Sequence, residues 1–335
     1  MLRLPPFTYL QPRTLGEAVR LLAEQPPGEA MAVAGGTDLY PNMKRRQFEP
    51  KYLVGLRRLP ELRFLHGDAR QGLTIGAGMT LTEVSTHPQV RQGYPALATA
   101  AGLVSTPQLR NMGTIGGNLC LDTRCNYYNQ TYWWRQAIGF CLKKDGDTCW
   151  VAPGSRRCWA VASSDTAPVL LALQAQVTLL GPQGERTLPL AALYRDDGIA
   201  YLNKGHAEIL TRITVPPAEG LRMAYVKLRR RGAFDFPVLG VAVALRLADD
   251  GTCTEARLAL GAVASAPLLA TEAAALLQGN RLTPEVIEAA AAAAFRPARP
   301  LDNTDLTLAY RKKMVRVHVA RTLYQLAGLA APAAL

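Results

Sequence analysis

The sequence lacks any apolar run approaching the ~18 residues of a membrane-spanning helix, so a helical membrane protein is not expected. Its first residues, Met1-Leu2-Arg3-Leu4-Pro5-Pro6, carry no extended apolar core and no small-residue cleavage site. They do not read as a signal peptide, and the expected compartment is the cytoplasm. Histidine is scarce: His66, His87, His206 and His318 are scattered and form no ligand spacing. No Ser-His-Asp arrangement or acid pair stands out, which removes the usual hydrolytic readings. There is no C-x-x-C pair, so a zinc ribbon and a thioredoxin-like site are both disfavoured. Gly76-Ala77-Gly78 lacks the third glycine of a dinucleotide fingerprint, and no glycine run ends in the Lys-Ser of a P-loop.

What is present is enough for two or three cores. The chain has 335 residues, of which 49% are hydrophobic and 19% charged, the balance of a folded protein and not of a disordered one. The net charge of +12 raises nucleic acid as a partner. Its local runs, Lys44-Arg45-Arg46, Arg229-Arg230-Arg231 and Arg311-Lys312-Lys313, do not sit among aromatics as a stacking platform does. Nucleic acid is therefore not expected, and an acidic protein partner accounts for the charge equally well.

Periodicity predicts a helix over 14–25, where Thr14 and Glu17 have capping-box spacing and Leu15, Val19 and Leu22 form a stripe. Strands follow at Met31–Val33 and Tyr52–Val54, and another from Leu73, with a helix from about Leu81. Residues 95–112 read as helical. The stretch 120–160 has no sustained period and reads as an inserted loop, a length uncommon without a function or an internal tether. A helix and strand over 167–180 lead to Pro216-Pro217, which marks a boundary. The last third predicts strands at 222–230, 237–248 and 255–263, then helices at 270–278, 284–295 and 305–327, the order of an α+β lobe.

Two glycine runs and a group of cysteines carry the chemistry. Ala34-Gly35-Gly36-Thr37-Asp38 follows a strand, where successive N–H groups can face a diphosphate without Cβ obstruction. A lone Gly-Gly pair is more often a plain tight turn. The second run, Gly113-Thr114-Ile115-Gly116-Gly117-Asn118, strengthens the cofactor reading, because a dinucleotide offers two phosphates and a ribose. Cys120, Cys125, Cys141, Cys149 and Cys158 then fall within 39 residues, with Cys253 apart. Disulfides are the bland reading of six cysteines, but cytosolic thiols stay reduced and a chain this long needs no staples. Burial as small hydrophobes accounts for one or two cysteines, not for five in a polar segment. Four thiolates suffice for a cubane [4Fe-4S] cluster, and irregular spacing suits a loop that wraps one. Lys227, in Tyr225-x-Lys227, reads equally as a solvated strand residue.

Taken in order, Ala34–Asp38, Ile75-Gly76-Ala77-Gly78, Arg110-Asn111-x-Gly113-Thr114-Ile115-Gly116-Gly117-Asn118, Ser163-Ser164-Asp165 and Tyr225-x-Lys227 form a specific combination. It resembles the FAD-binding medium subunits of molybdenum hydroxylases, the family of xanthine and carbon monoxide dehydrogenases, over residues 5–327. The resemblance implies an α+β fold: a bilobal FAD-binding module of the vanillyl-alcohol-oxidase (PCMH) type and a C-terminal α+β domain. The implied divisions are 1–58, 59–217 with the insert at about 120–162, and 218–330. Val33, Ala34, Gly35, Gly36, Thr37 and Asp38, with Thr114, Ile115, Gly116, Gly117 and Asn118, would cradle diphosphate and ribose. Asp165 would hydrogen-bond the FAD, and Lys227 would lie near the isoalloxazine, where a fixed positive charge favours the anionic reduced ring.

In that family the glycine–asparagine run leads almost directly to the aspartate, whereas here roughly forty residues intervene and carry the cysteines. Such an insert resembles the β subunit of 4-hydroxybenzoyl-CoA reductase, whose loop holds an additional [4Fe-4S] cluster. The match makes Cys125, Cys141, Cys149 and Cys158 the ligands and leaves Cys120 as a packing residue. The implied role is electron transfer and not substrate binding. Reduced ferredoxin would supply the cluster, then FAD, then two [2Fe-2S] clusters of a small subunit and the molybdopterin of a large one, in a dimer of heterotrimers. There 4-hydroxybenzoyl-CoA would lose its hydroxyl to give benzoyl-CoA. The insert carries Arg124, Arg135, Lys143, Lys144, Arg156 and Arg157 against Asp122, Asp145 and Asp147, so an acidic ferredoxin is expected to dock there, unless these charges are merely solvated. A molybdenum hydroxylase oxidising another substrate is the alternative, and a nucleic-acid-binding iron–sulfur protein the alternative from another class.

Overall fold

Thr14 starts the first helix as the sequence suggests: its Oγ1 accepts the Glu17 N–H at 3.1 Å, and Ala18, Val19 and Leu22 turn inward. Described over residues 2–332 in a computed structural model, the chain opens with β1 (Thr8–Leu10), α1 (Leu15–Ala23), β2 (Ala30–Val33), α2 (Leu39–Lys44) and β3 (Tyr52–Gly55). The strands form a parallel sheet in the order β1-β3-β2, with Tyr52 paired to both Thr8 and Ala30. The Gly35-Gly36 turn leaves this sheet at the end of β2 and delivers the chain into α2.

A second, antiparallel sheet has the order β4-β5-β8-β6-β7, from β4 (Leu65–Asp68), β5 (Gly72–Gly76), β6 (Gln176–Gly181), β7 (Gly184–Pro189) and β8 (Ile209–Val215). Between β5 and β6 the chain makes short helices: α3 (Leu81–Thr86), α4 (Pro88–Gly93), α5 (Pro95–Gly102), α6 (Pro107–Arg110), α7 (Ile115–Leu119), α8 (Tyr132–Ala137) and α9 (Thr166–Ala172). A further short helix, α10 (Leu190–Leu193), follows β7. The helix expected over 95–112 is in fact two. Ser105 adopts φ 46° and Pro107 follows, so the chain breaks between α5 and α6. The break has a use: the carbonyl of Leu103 accepts Lys227 Nζ at 3.0 Å.

The third sheet, in the order β12-β11-β10-β9, is antiparallel and consists of β9 (Arg222–Leu228), β10 (Leu239–Leu247), β11 (Cys253–Gly261) and β12 (Leu268–Leu269). It is covered on both faces, and β10 shows how the sequence arranges this. Leu239, Val241, Val243 and Leu245 join the core under α11 (Thr271–Leu277), α12 (Pro284–Ala294) and α13 (Leu308–Ala327). Alternating with them, Ala242 and Ala244 join the larger core shared with the second lobe. Small side chains on that face let α5 and α9 approach the sheet closely. The register pairs Tyr225 with Ala242 and Lys227 with Gly240, which puts both on the face toward α9. No helix among the described residues is long and apolar enough to cross a membrane.

Candidate functional site: a dinucleotide cavity beside a cysteine cage

The two glycine runs meet. A Cβ on Gly35 would lie 1.9 Å from the Met112 carbonyl oxygen, so only glycine permits this contact between the first lobe and the loop preceding α7. Between them opens a cavity of about 480 Å³, lined by Val33, Ala34, Gly35, Gly36, Thr37 and Asp38 from one run. Thr114, Gly117 and Asn118 line it from the other, and Asp165 closes one side. Thr114 caps α7, its Oγ1 accepting the Gly117 N–H at 3.1 Å. Ile115 and Gly116 do not line the cavity: Ile115 is wholly buried in the core, and Gly116 packs on Ala77, donating to its carbonyl at 2.9 Å. Their part is to seat the helix.

Asn118 is committed to holding the neighbouring turn. Its Oδ1 accepts from Ser164 Oγ at 2.8 Å and from the Thr166 N–H and Oγ1 at 3.2 and 2.7 Å. That turn carries Asp165, whose Oδ1 accepts from Tyr225 Oη at 2.8 Å and whose Oδ2 meets Lys227 Nζ at 2.8 Å. Lys227 is no solvated strand residue: its side chain is 1% exposed and Asp165's 3%. Nor does Lys227 line the cavity; it stands behind Asp165. Burial pushes the Asp165 carboxyl up and the Lys227 amine down. The lysine thus orients a carboxylate at the cavity wall.

Several lining residues have no motif in the sequence. Asp122, Arg124, Tyr201, Phe234, Asp235 and Phe236 reach the cavity from the insert, the loop after α10 and the loop after β9. Cys120 packs against the main core, as expected, and also lines the cavity next to Leu121. Only the adjacency of Asp122-Thr123-Arg124 to the glycine–asparagine run hinted at any of this.

The remaining cysteines of the insert converge elsewhere. Cys125, Cys141, Cys149 and Cys158, each less than 10% exposed, line one small cavity with Tyr127, Tyr128, Leu142, Lys143, Trp150, Val151 and Ala160. All are free thiols. Burial pushes Cys125 up to about 12 and Cys158 up to about 11. Among the described residues no three His, Cys, Asp or Glu side chains are close enough to hold a single metal ion. A mononuclear zinc needs four donors at about 2.0–2.3 Å, so this spread of sulfurs does not suit one.

The insert is bound into all three parts of the chain. Arg135, fully buried, donates to the carbonyls of Arg45 and Arg46 at 3.2 and 3.0 Å, at the end of α2. Asn303 Nδ2 donates to the Trp159 carbonyl at 2.6 Å, and the Asn303 carbonyl accepts the Asn126 N–H at 2.9 Å. Lys143 Nζ reaches Asp122 Oδ1 at 2.7 Å and the Gly198 carbonyl at 2.6 Å, between the rings of Tyr128 and Tyr201. Gly198 closes the cage from the second lobe, for a Cβ there would stand 2.6 Å from Cys158 Sγ and 2.7 Å from the Ala160 nitrogen. Gly198→Ala is therefore expected to displace the Cys158 sulfur and loosen the cysteine-bearing loop, read as faster reaction of a thiol reagent with Cys158 than in wild type.

This packing corrects the charge expectation for the insert. Arg124, Arg135 and Lys143 have side chains 9%, 0% and 6% exposed, each in an internal ion pair. They neither solvate the loop nor offer a basic docking face. Arg157 pairs with Asp196 and Lys144 with Asp145. The outer surface near the cage is instead aromatic, with Trp133 73%, Trp134 40% and Trp150 41% exposed.

Residues 5–218 match the FAD-binding domain in molybdopterin dehydrogenase, and residues 223–326 the CO dehydrogenase flavoprotein C-terminal domain. The chain is 32% identical to the carbon monoxide dehydrogenase medium chain of Hydrogenophaga pseudoflava, over 95% of its own length and 96% of that protein's. It is 33% identical to the aldehyde oxidoreductase FAD-binding subunit of Escherichia coli, over 78% of this chain and 82% of that one. The solved carbon monoxide dehydrogenase from H. pseudoflava superimposes with a TM-score of 0.79 at 30% identity, covering 98% of this chain and all of that one. Two glycine runs meeting at one cavity, the family models end to end and relatives matched along nearly their whole length agree: the chain belongs to the FAD-binding medium subunits of the molybdenum hydroxylases, of the carbon monoxide and xanthine dehydrogenase type.

Proposed function

We propose that this chain is an electron-transfer subunit holding two redox groups, FAD in the interlobe cavity and a [4Fe-4S] cluster on Cys125, Cys141, Cys149 and Cys158. The observation that carries the second group is the meeting of four thiols from a segment with no C-x-x-C spacing around one buried cavity. Bound there, the pair supplies one- and two-electron carrier chemistry between a donor protein and a molybdenum-bearing partner.

The chain's own residues hold and orient. The N–H groups of Gly35 to Asp38 would face the diphosphate, while Thr114, Gly117 and Asn118 wall the cavity opposite them. Asp165, backed by Lys227 and Tyr225, accepts a hydrogen bond from the cofactor. Tyr128, Val151 and Ala160 keep water from the cage. Lys143 lines the cage and bonds Asp122 of the flavin cavity, so it ties the walls of the two sites together.

Large and small subunits complete the enzyme in this reading, as a dimer of heterotrimers, because this chain has a carrier site and a substrate belongs to the molybdenum partner. The donor is a ferredoxin, meeting the aromatic face of Trp133, Trp134 and Trp150. The reaction is the reductive dehydroxylation of 4-hydroxybenzoyl-CoA to benzoyl-CoA, a reading that rests on the cysteine-bearing insert. A second reading is favoured by the matched relatives: carbon monoxide dehydrogenase and nicotinate dehydrogenase are named for oxidations. In that case the cluster is an exit for electrons.

Anaerobic purification with cofactor analysis tests the assignment. One FAD per chain with iron and sulfide in equal amount supports it; full flavin without iron leaves a plain medium subunit. Assembled with its partner subunits and given reduced ferredoxin, the enzyme should form benzoyl-CoA from 4-hydroxybenzoyl-CoA, and failure there with cofactors intact favours the oxidative reading.

A further inference from the structure

Each of the four carboxylates that line the flavin cavity has a cation of its own. Asp122 pairs with Lys143, Asp165 with Lys227, Asp235 with Arg231 and Asp38 with Arg124. This pairing leaves one lining cation over. Arg45 is half-buried on the cavity wall, and its guanidinium has no hydrogen-bond, ion-pair or ring partner among the described residues. Its neighbours in sequence behave otherwise: Lys44 is exposed, Arg46 pairs with Glu49 at 3.2 Å, and neither lines the cavity.

The main chain of Arg45 is held although its side chain is not. Its N–H donates to the Asn42 and Pro41 carbonyls at 3.1 and 3.3 Å, and its carbonyl accepts from the buried Arg135 of the insert at 3.2 Å. Asp38, Asn42 and Arg45 follow one another at helical spacing along α2, and all three line the cavity. Arg124 takes up the first two, and Arg45 comes next. A helix rises about 1.5 Å per residue, so Arg45 starts roughly 10 Å beyond Asp38. Long side chains on a helix lean toward its N-terminus, here toward the Gly35–Asp38 turn. A guanidinium left over in a cavity whose carboxylates are already paired suits an anionic ligand, and its planar fork matches phosphate oxygens.

We propose that Arg45 is a cofactor-binding residue, its guanidinium donating to the diphosphate of FAD over the Gly35–Asp38 cradle. The inference rests on FAD filling this cavity. It adds a full positive charge to the N–H groups of the cradle, and it gives the insert a part in the flavin site, since Arg135 fixes the Arg45 carbonyl from the cysteine-bearing loop.

The test uses the full-length chain, stripped of flavin and titrated with FAD by flavin fluorescence at low and high salt. Arg45→Met is expected to bind FAD about 10-fold more weakly at low salt, the loss of a charge-assisted hydrogen bond. Arg45→Glu should bind it more weakly still, and both gaps should narrow at about 1 M salt. Unfolding of the empty variants should match wild type, because the group removed has no partner there. Arg45→Lys keeps the charge but loses the fork, so phosphorus-31 resonances of bound FAD should move while the visible flavin spectrum stays. Affinity within about twofold of wild type in Arg45→Met overturns the proposal. So does equal weakening in Arg45→Met and Arg45→Glu that salt does not narrow, which would mean stacking on the adenine ring. Unmoved phosphorus resonances in Arg45→Lys overturn it as well, and they decide the matter should Arg45→Met fail to fold. A Gly35→Ala chain that still binds FAD normally fails the cradle reading, and a wild type that binds no FAD contradicts the cofactor assignment; neither outcome can be mistaken for a failure of Arg45 alone.

Discussion

Serine in place of Cys125, Cys141, Cys149 or Cys158 is expected to remove most of the iron and sulfide from the anaerobically purified chain, while Cys120→Ser keeps both. The contrast follows from placement. The first four side chains line one buried cavity, and Cys120 lines the flavin cavity instead. A hydroxyl matches the thiol's size but not its acidity or softness, so it is a poor cluster ligand. Flavin content should fall far less than iron in these variants, since none of the four cysteines lines the flavin cavity. The measurement is iron, sulfide and FAD per chain, with the visible spectrum before and after reduction. Loss of iron in Cys120→Ser, or full iron in any two of the other four, would sink the ligand set.

The second large effect belongs to Lys227. Replacing it by methionine leaves Asp165 in a site 3% exposed with Tyr225 as its remaining side-chain partner. Removing one member of a buried ion pair costs about 3–5 kcal/mol, because the other charge stays desolvated and uncompensated. Lys227→Met should therefore unfold at lower denaturant concentration and release FAD more readily. The companion change Asp165→Asn in the same chain should recover a large part of the stability, since it removes the stranded charge. It should not recover flavin affinity if the Asp165 carboxylate is the group that meets the cofactor. Equal stability of wild type and Lys227→Met would mean that the pair is not closed in solution.

Each of these effects follows from residues that were visible in the sequence, though their arrangement was not equally so. Lys227 stood out through Tyr225-x-Lys227, but its role there was open between a solvated side chain and a charge beside the flavin. The register of β9 against β10 decided it, by turning Lys227 toward α9 and Asp165. The helix expected over 95–112 divides for a related reason. Periodicity continues through Leu103–Thr106, but Ser105 at φ 46° breaks the helix and leaves the Leu103 carbonyl as an acceptor for that same lysine. Charge in the insert departs furthest from what composition implies. Composition counts Arg124, Arg135 and Lys143 as surface, whereas each is neutralised inside the fold by Asp38, Asp145 or Asp122.

By itself the sequence determined the strands and helices of the last lobe, the two glycine runs and the presence of sulfur between them. These are local properties: period, turn chemistry and residue type act within a few neighbours. It also determined the family, because the motifs occur in a fixed order along nearly the whole chain. Only the tertiary structure decided that Cys120 faces one cavity and Cys125 the other, and that Arg124 crosses from the cysteine loop to the flavin cradle. Those facts depend on contacts between residues far apart in the chain, such as Asp38 and Arg124 or Cys158 and Gly198. No local pattern encodes which side of a wall a side chain will face once the lobes close on each other.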